Sequence, residues 1–309
     1  MAPQISLPEA LPASLKATER ALEAGGVRCE TIGWELLETV RDGRNGASGV
    51  VDLKRRLRME GDDLERVLLW HAAARALSRL SSLRLDPGVL PLLEKDLRQI
   101  HTRRASLEAG SDNFNRAAKM ATLRRFPAGP MEWEISGIPR SYALQAGFSG
   151  SLRVLSFVMT QLGGWKPCFF MHVAPPPRNR AFSVPMEVLR SYYRIARSLE
   201  LQPRIRALVA CAWFHDPAAI QDNPHLEVLS RPYLSYGGLI VPLRPAPPSS
   251  GILERNARRR DDVLAGRIHY RHGLAIWPRA AAIRWAEEHP EYGTVPPVPS
   301  AVDPHACAT

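Results

Sequence analysis

At Phe126 the sequence changes texture. Upstream, apolar residues recur every three to four positions, most clearly at Leu64, Val67, Leu68, His71, Ala74, Leu77 and Leu80. That spacing lines them along one stripe of an α-helix, and Asp62 and Asp63 suit its N-terminal end, where the helix dipole favours negative charge. Downstream, Pro127, Gly129, Pro130, Gly137 and Pro139 punctuate the chain, and short apolar runs replace the stripe. Runs of that length between turn residues are read as strands. The break predicts an α+β protein with a helical domain over 1–125. A mixed, mainly antiparallel sheet with flanking helices follows over 126–292, and a proline-rich disordered tail over 293–309.

Within the first part, helices are expected at 9–24 and 33–42, around the Gly25-Gly26 pair, and at 62–82, 89–103 and 112–125. Ser111-Asp112 supplies an N-cap for the last of these. His71, on an apolar stripe, reads as a partnered core or boundary histidine rather than a ligand. In the second part, 131–138 reads as a strand alternating Met131, Trp133 and Ile135. The runs 152–162 and 167–174 read as a strand hairpin joined through Gly163-Gly164-Trp165-Lys166. After a proline-rich loop at 175–183, a helix is expected over 185–200, with Pro185 in its first turn. A buried strand at 205–214, a short helix, a strand at 237–243, a helix at 251–266 and a last helix opening at Ile276 complete the order.

The chain carries 41 Lys and Arg against 31 Asp and Glu, a net charge of +10. Such a balance admits a nucleic-acid partner, but nearly all the cations are arginine, a skew that codon usage explains equally well. The most one-signed stretch runs from Arg140 to His215, where Glu187 and Glu200 are the only acids, and it predicts a surface that attracts an anionic ligand. No helix-turn-helix spacing, RNP-type sequence or zinc pattern accompanies it. Cys29, Cys168, Cys211 and Cys307 are scattered and none forms a CxxC pair, which argues for buried thiols in a reducing, cytoplasmic compartment and against structural zinc. No apolar run is long enough to span a bilayer, and the first twenty residues lack a secretory pattern. The absence of GxGxxG after a strand, GxxxxGK[ST], GxSxG and HExxH leaves dinucleotide, P-loop, serine-hydrolase and zincin chemistry unsupported.

From Met131 the expected order is three strands, a basic loop, a helix, a strand, a short helix and a strand. Over roughly 131–243 that order resembles the core of the GNAT acyltransferases. In that family the loop before the corresponding helix binds the coenzyme A pyrophosphate through backbone amides, with the signature Gln or Arg, two residues, Gly, one residue, Gly or Ala. Here Arg178-Asn179-Arg180-Ala181-Phe182-Ser183 stands in that place, without a glycine. The resemblance implies acyl-CoA as co-substrate, no metal, and transfer to an amine or hydroxyl of a small-molecule acceptor. It would give the phosphates to Arg178, Arg180 and the helix start at Val184 and Met186. Independently of family, two arginines feeding a helix N-terminus make either an anion site or a solvated loop.

Further positions could carry chemistry. His172, in an apolar run just before the basic loop, is either a hydrogen-bonded core residue or a general base, and Glu187 is a second candidate base. His215 and Asp216 end a buried strand, where ligand sites gather, although Asp216 also suits the cap of the helix opened by Pro217. Tyr233 or Tyr236 could protonate a departing thiolate, as the resemblance implies for a tyrosine in this region. Arg258-Arg259-Arg260 with Asp261-Asp262 reads as a wet, internally paired helix face. The helical part would shape the acceptor site or a homo-oligomer seam. A non-catalytic regulatory protein and a nucleic-acid-binding module are the alternative readings.

Overall fold

The computed structural model describes residues 13–24, 53–56, 58, 61–103, 107–108, 111–175, 178, 184–245, 257–267 and 269–293. The helix expected at 33–42, residues 176–177 and 179–183 of the basic loop with Arg180 among them, and the tail beyond Gly293 lie outside the described residues.

The upstream stripes fold as their period requires. Helix α1 (Ala13–Ala24) lies against α2 (Asp63–Arg79), which buries Leu64, Val67, Leu68, Ala72, Ala76 and Leu77. Where the two meet, His71 Nε2 stands 2.9 Å from Glu19 Oε1, so this histidine is a partnered boundary residue. Helices α3 (Leu90–Arg103) and α4 (Asp112–Ala121) pack on α2. Ser111 caps α4, its Oγ accepting the Phe114 N–H at 3.2 Å. A cap of this kind contributes about 1 kcal/mol.

Six strands then form one sheet, β1 (Arg125–Pro127), β2 (Met131–Ser136), β3 (Cys168–Val173), β4 (Ala207–Ala212), β5 (Leu239–Pro245) and β6 (Arg271–Pro278), in the order β1-β2-β3-β4-β6-β5. Every neighbouring pair is antiparallel except β3 and β4. Gly129 turns β1 into β2 at φ +124°, where a Cβ would also stand 3.2 Å from Ser191 Oγ. Helix α7 (Pro185–Glu200) clamps this turn, Arg194 donating to the Ala128 carbonyl at 2.7 Å.

Two expectations are corrected. Residues 152–162 are no strand; they belong to α6 (Gly147–Gln161), which follows the short α5 (Arg140–Gln145). A short apolar run carries no reliable period, and here Val154 and Val158, one helical turn apart, are the buried pair. Gly150 lets α6 approach the sheet, since a Cβ there would stand 3.1 Å from Val241 Cγ1. The hairpin with 167–174 is therefore absent, and β3 pairs with β2 instead. The second correction is that β6, like the short β1 at the end of the helix expected over 112–125, is an unexpected strand, so the last helix, α11 (Arg279–Glu288), opens at Arg279 and not at Ile276. Ile276 and Trp277 read as a helix start, but Pro278 holds the residue before it extended.

Between β4 and β6 lie α8 (Pro217–Asp222), α9 (Glu227–Ser235) and α10 (Ala257–Leu264). One face of the sheet joins a buried cluster running from Leu22, Leu68 and Leu97 through Trp133 and Met171 to Tyr192 and Trp277. The other carries a smaller cluster in which Val154 and Val158 meet Val209, Val241, Leu274 and Ile276. Each such fully buried aliphatic side chain stabilises by about 1.5–3 kcal/mol.

Candidate active site

In a parallel pair the carboxyl ends of two strands lie side by side, and ligand sites of α/β sheets collect beyond them. The register shared by β3 and β4 is short, from Phe169↔Leu208 to Met171↔Ala210. Past it, β3 continues through His172 and Val173 paired with β2, and β4 through Cys211 and Ala212 paired with β6. On the sides that face each other, these four residues are not paired strand to strand. An extended ligand bearing amide groups can pair with such edges as an added strand does.

Alternation turns Met171 and His172 to opposite faces. On the α7 face, the Tyr233 hydroxyl of α9 stands 3.8 Å from Met171 Sδ, at the point where the strands part. Tyr233 is fully buried, and burial, with Tyr192 beside it, raises its pKa well above 10, so the phenol stays protonated. Tyr192 donates to the Leu229 carbonyl at 2.8 Å. His215 is also enclosed: its Nδ1 lies 2.9 Å from Ser230 Oγ, and its Nε2 has no partner. Burial pushes its pKa down to about 3, leaving a neutral ring. Gly273 of β6 is required beside it, because a Cβ would approach His215 Cβ to 2.6 Å.

On the opposite face, His172 Nε2 lies 3.6 Å from Glu134 Oε2. That is ion-pair range but long for a hydrogen bond, so Nε2 can still engage another atom. Glu134 also accepts from Lys119 Nζ at 2.8 Å. Burial raises the Glu134 pKa, but His172 and Lys119 outweigh it and bring the carboxyl to about 2. For His172 burial is the largest influence, and it holds the ring below its ordinary 6.5 despite Glu134. Next to this pair, fully buried Glu132 meets Arg116, Arg125 Nε at 2.8 Å and Arg178 at 2.8 Å. Arg178 bonds Asp96 at 2.8 Å as well. Burial favours the neutral acid in Glu132, yet the Arg116 hydrogen bond and the three positive charges hold its pKa below the ordinary value.

The other expected residues are dispersed. Val184 and Met186, both exposed, stand at the start of α7. Glu187 is bound to Arg190 at 2.5 Å. Asp216 caps α8 through the Ala218 N–H and accepts the Arg271 N–H at 2.6 Å, which ties β6 to the end of β4. Tyr236 is separated from Tyr233; its hydroxyl donates to Glu288 at 2.5 Å on the rim of a cleft of about 530 Å³. Pro185 and Leu189 of α7, Arg231 of α9 and Trp285 of α11 line that cleft, so it adjoins the α7 N-terminus. Sequence reading passed over Glu134, Lys119 and Ser230. The signal for Glu134 was present: two glutamates alternate through an otherwise apolar strand, MEWEIS. Among the described residues, no group of three His, Cys, Asp or Glu side chains is placed to hold a metal ion.

No protein-family model matches the chain, and no curated protein matches it. Among solved structures, the chain is similar to an acyltransferase in complex with decanoyl-CoA, at 15% identity and a TM-score of 0.37, over 85% of this chain and 98% of that one. It is also similar to an acyltransferase in complex with CoA and 10C-teicoplanin, at 14% identity and a TM-score of 0.33, over 83% and 98% of the two chains.

Proposed function

We propose that the chain is an acyl-CoA-dependent acyltransferase acting on an amine or hydroxyl of a small-molecule acceptor. The observation that carries this reading is the end of the β3–β4 pairing after Met171 and Ala210, with α7 as the next helix after β3 in the chain. A pantetheine arm is an extended chain with two amides, suited to the open edges at His172–Val173 and Cys211–Ala212. Its diphosphate would lie at the start of α7, where backbone amides and the helix dipole favour an anion. Pro185 has no N–H, so Val184 and Met186 would supply the amides, with Arg180 adding charge. Arg178, already bridging Asp96 and Glu132, would anchor the loop.

The acceptor nitrogen or oxygen would attack the thioester carbonyl carbon as the carbon–sulfur bond breaks. Neutral His172, with Glu134 behind it, would take the proton of the attacking group, and Tyr233 would give its proton to the leaving sulfur. The thioester would lie between them, reached from the two faces of β3.

Thermal unfolding with acetyl-CoA and a long-chain acyl-CoA tests the binding step, since a ligand at a hundred times its Kd stabilises by about 2.7 kcal/mol. Tyr233→Phe should keep that stabilisation while slowing thiol release to an amine acceptor about 100-fold. No shift with any thioester would remove the reading.

A further inference from the structure

Helix α6 turns a second apolar stripe away from the sheet. Phe148 is 84% exposed, Leu152 52%, Leu155 46% and Met159 57%, and Leu144 just before the helix is 81% exposed. The four helical positions are spaced four, three and four residues apart, which on a 3.6-residue helix keeps them within one narrow seam. That is the alternation by which one helix packs along another. Val154 and Val158, buried against the sheet, lie on a different side of the helix.

We propose that α6 is a homodimer interface, its occupant being α6 of a second copy of this chain lying antiparallel across a twofold axis. Three observations select that occupant. The seam is flanked by Ser149 and Ser156, so like charges do not meet when the helix faces itself; Arg153 lies off the seam. The spacing is symmetric about the centre of the helix, so Leu152 meets Leu155 of the partner subunit and Phe148 meets Met159 of the partner subunit, as an isologous contact requires. The five side chains expose on the order of 500 Å² of apolar surface, near the top of what a monomer leaves uncovered. Two such patches bury about 1,000 Å², the lower bound of a specific interface. An anionic bilayer fits less well, because Arg140, Arg153 and Lys166 are the only basic residues of the segment and such surfaces hold helices through about four to eight.

Sedimentation equilibrium of the full chain at micromolar concentrations should return the mass of a dimer. Leu152→Glu and Leu155→Lys, both at exposed positions, should each give a folded monomer. Mixed together they should restore a heterodimer, because the carboxylate introduced at position 152 of one copy then faces the ammonium introduced at position 155 of the other, while the remaining pair stays leucine on leucine. Arg153→Glu, off the seam, should remain dimeric. A monomeric wild-type chain, a dimer that survives both seam variants, or variants that do not recombine when mixed would overturn the proposal.

Discussion

His215 carries the clearest pH consequence of any single residue. Its ring is buried away from solvent, and burial holds its pKa near 3 against 6.5 in an unfolded chain. Between those values the unfolded chain binds a proton that the folded one does not. Stability therefore falls as pH drops from about 6.5 toward about 3, by up to about 1.4 kcal/mol per pH unit. Urea unfolding across that range should show a shallower acid limb for His215→Gln than for the wild type; parallel limbs would assign the loss to other groups. The sequence pointed to His215 and Asp216 through their place at the end of a buried strand, and the capping of α8 by Asp216 followed from the Asp-Pro pair. What enclosed His215 was not legible, because Ser230 and Tyr233 come from α9, most of which lies past the short helix expected after the strand. The same gap separates Tyr233 from Tyr236: only the fold decides which tyrosine reaches Met171.

Strand β2 is where the helices are fastened to the sheet. Glu132 draws in Arg116 from α4, Arg125 from β1 and Arg178 from the loop after β3. Glu132→Gln would leave Arg116 and Arg178 sharing Asp96, and removing one partner of a buried ion pair costs about 3–5 kcal/mol. Arg178→Ala should cost distinctly less, because Arg178 is partly exposed and Glu132 keeps two other arginines. Denaturant midpoints of the two variants compare these directly, and equal losses would mean that Arg178 is as central to the cluster as Glu132. Helices α2, α3 and α4 were legible because their apolar stripes are long and their ends are marked. Helix α6 was not: with leucines and a methionine on its outer side, LRVLSFVMTQL is apolar around most of its circumference and reads as a strand. The exposed seam that calls for a second copy is the same feature that hides the helix. Strand β6 was masked by the helix that follows it without an intervening loop.

For the whole molecule, the buried cluster that begins in α1 and α2 and ends at Trp277 crosses the break at Phe126. Division into a helical domain over 1–125 and an α/β domain over 126–292 would give two separable thermal transitions. A continuous core predicts one, with the signals of the helices and of Trp133 and Trp277 melting together; two resolved transitions would restore the division. The order in which the chain leaves the ribosome adds a constraint of its own. Strand β5 pairs with no strand but β6, and β6, though last in sequence, lies between β4 and β5. Until residues 271–278 have been made, the outer edge of β4 stays open and β5 has nothing to pair with. At about 5–20 residues per second, the stretch from Ala212 to Pro278 takes on the order of several seconds to make. For that interval a half-built sheet presents a bare hydrophobic edge to the cell, and the nascent chain must be shielded or quick to finish.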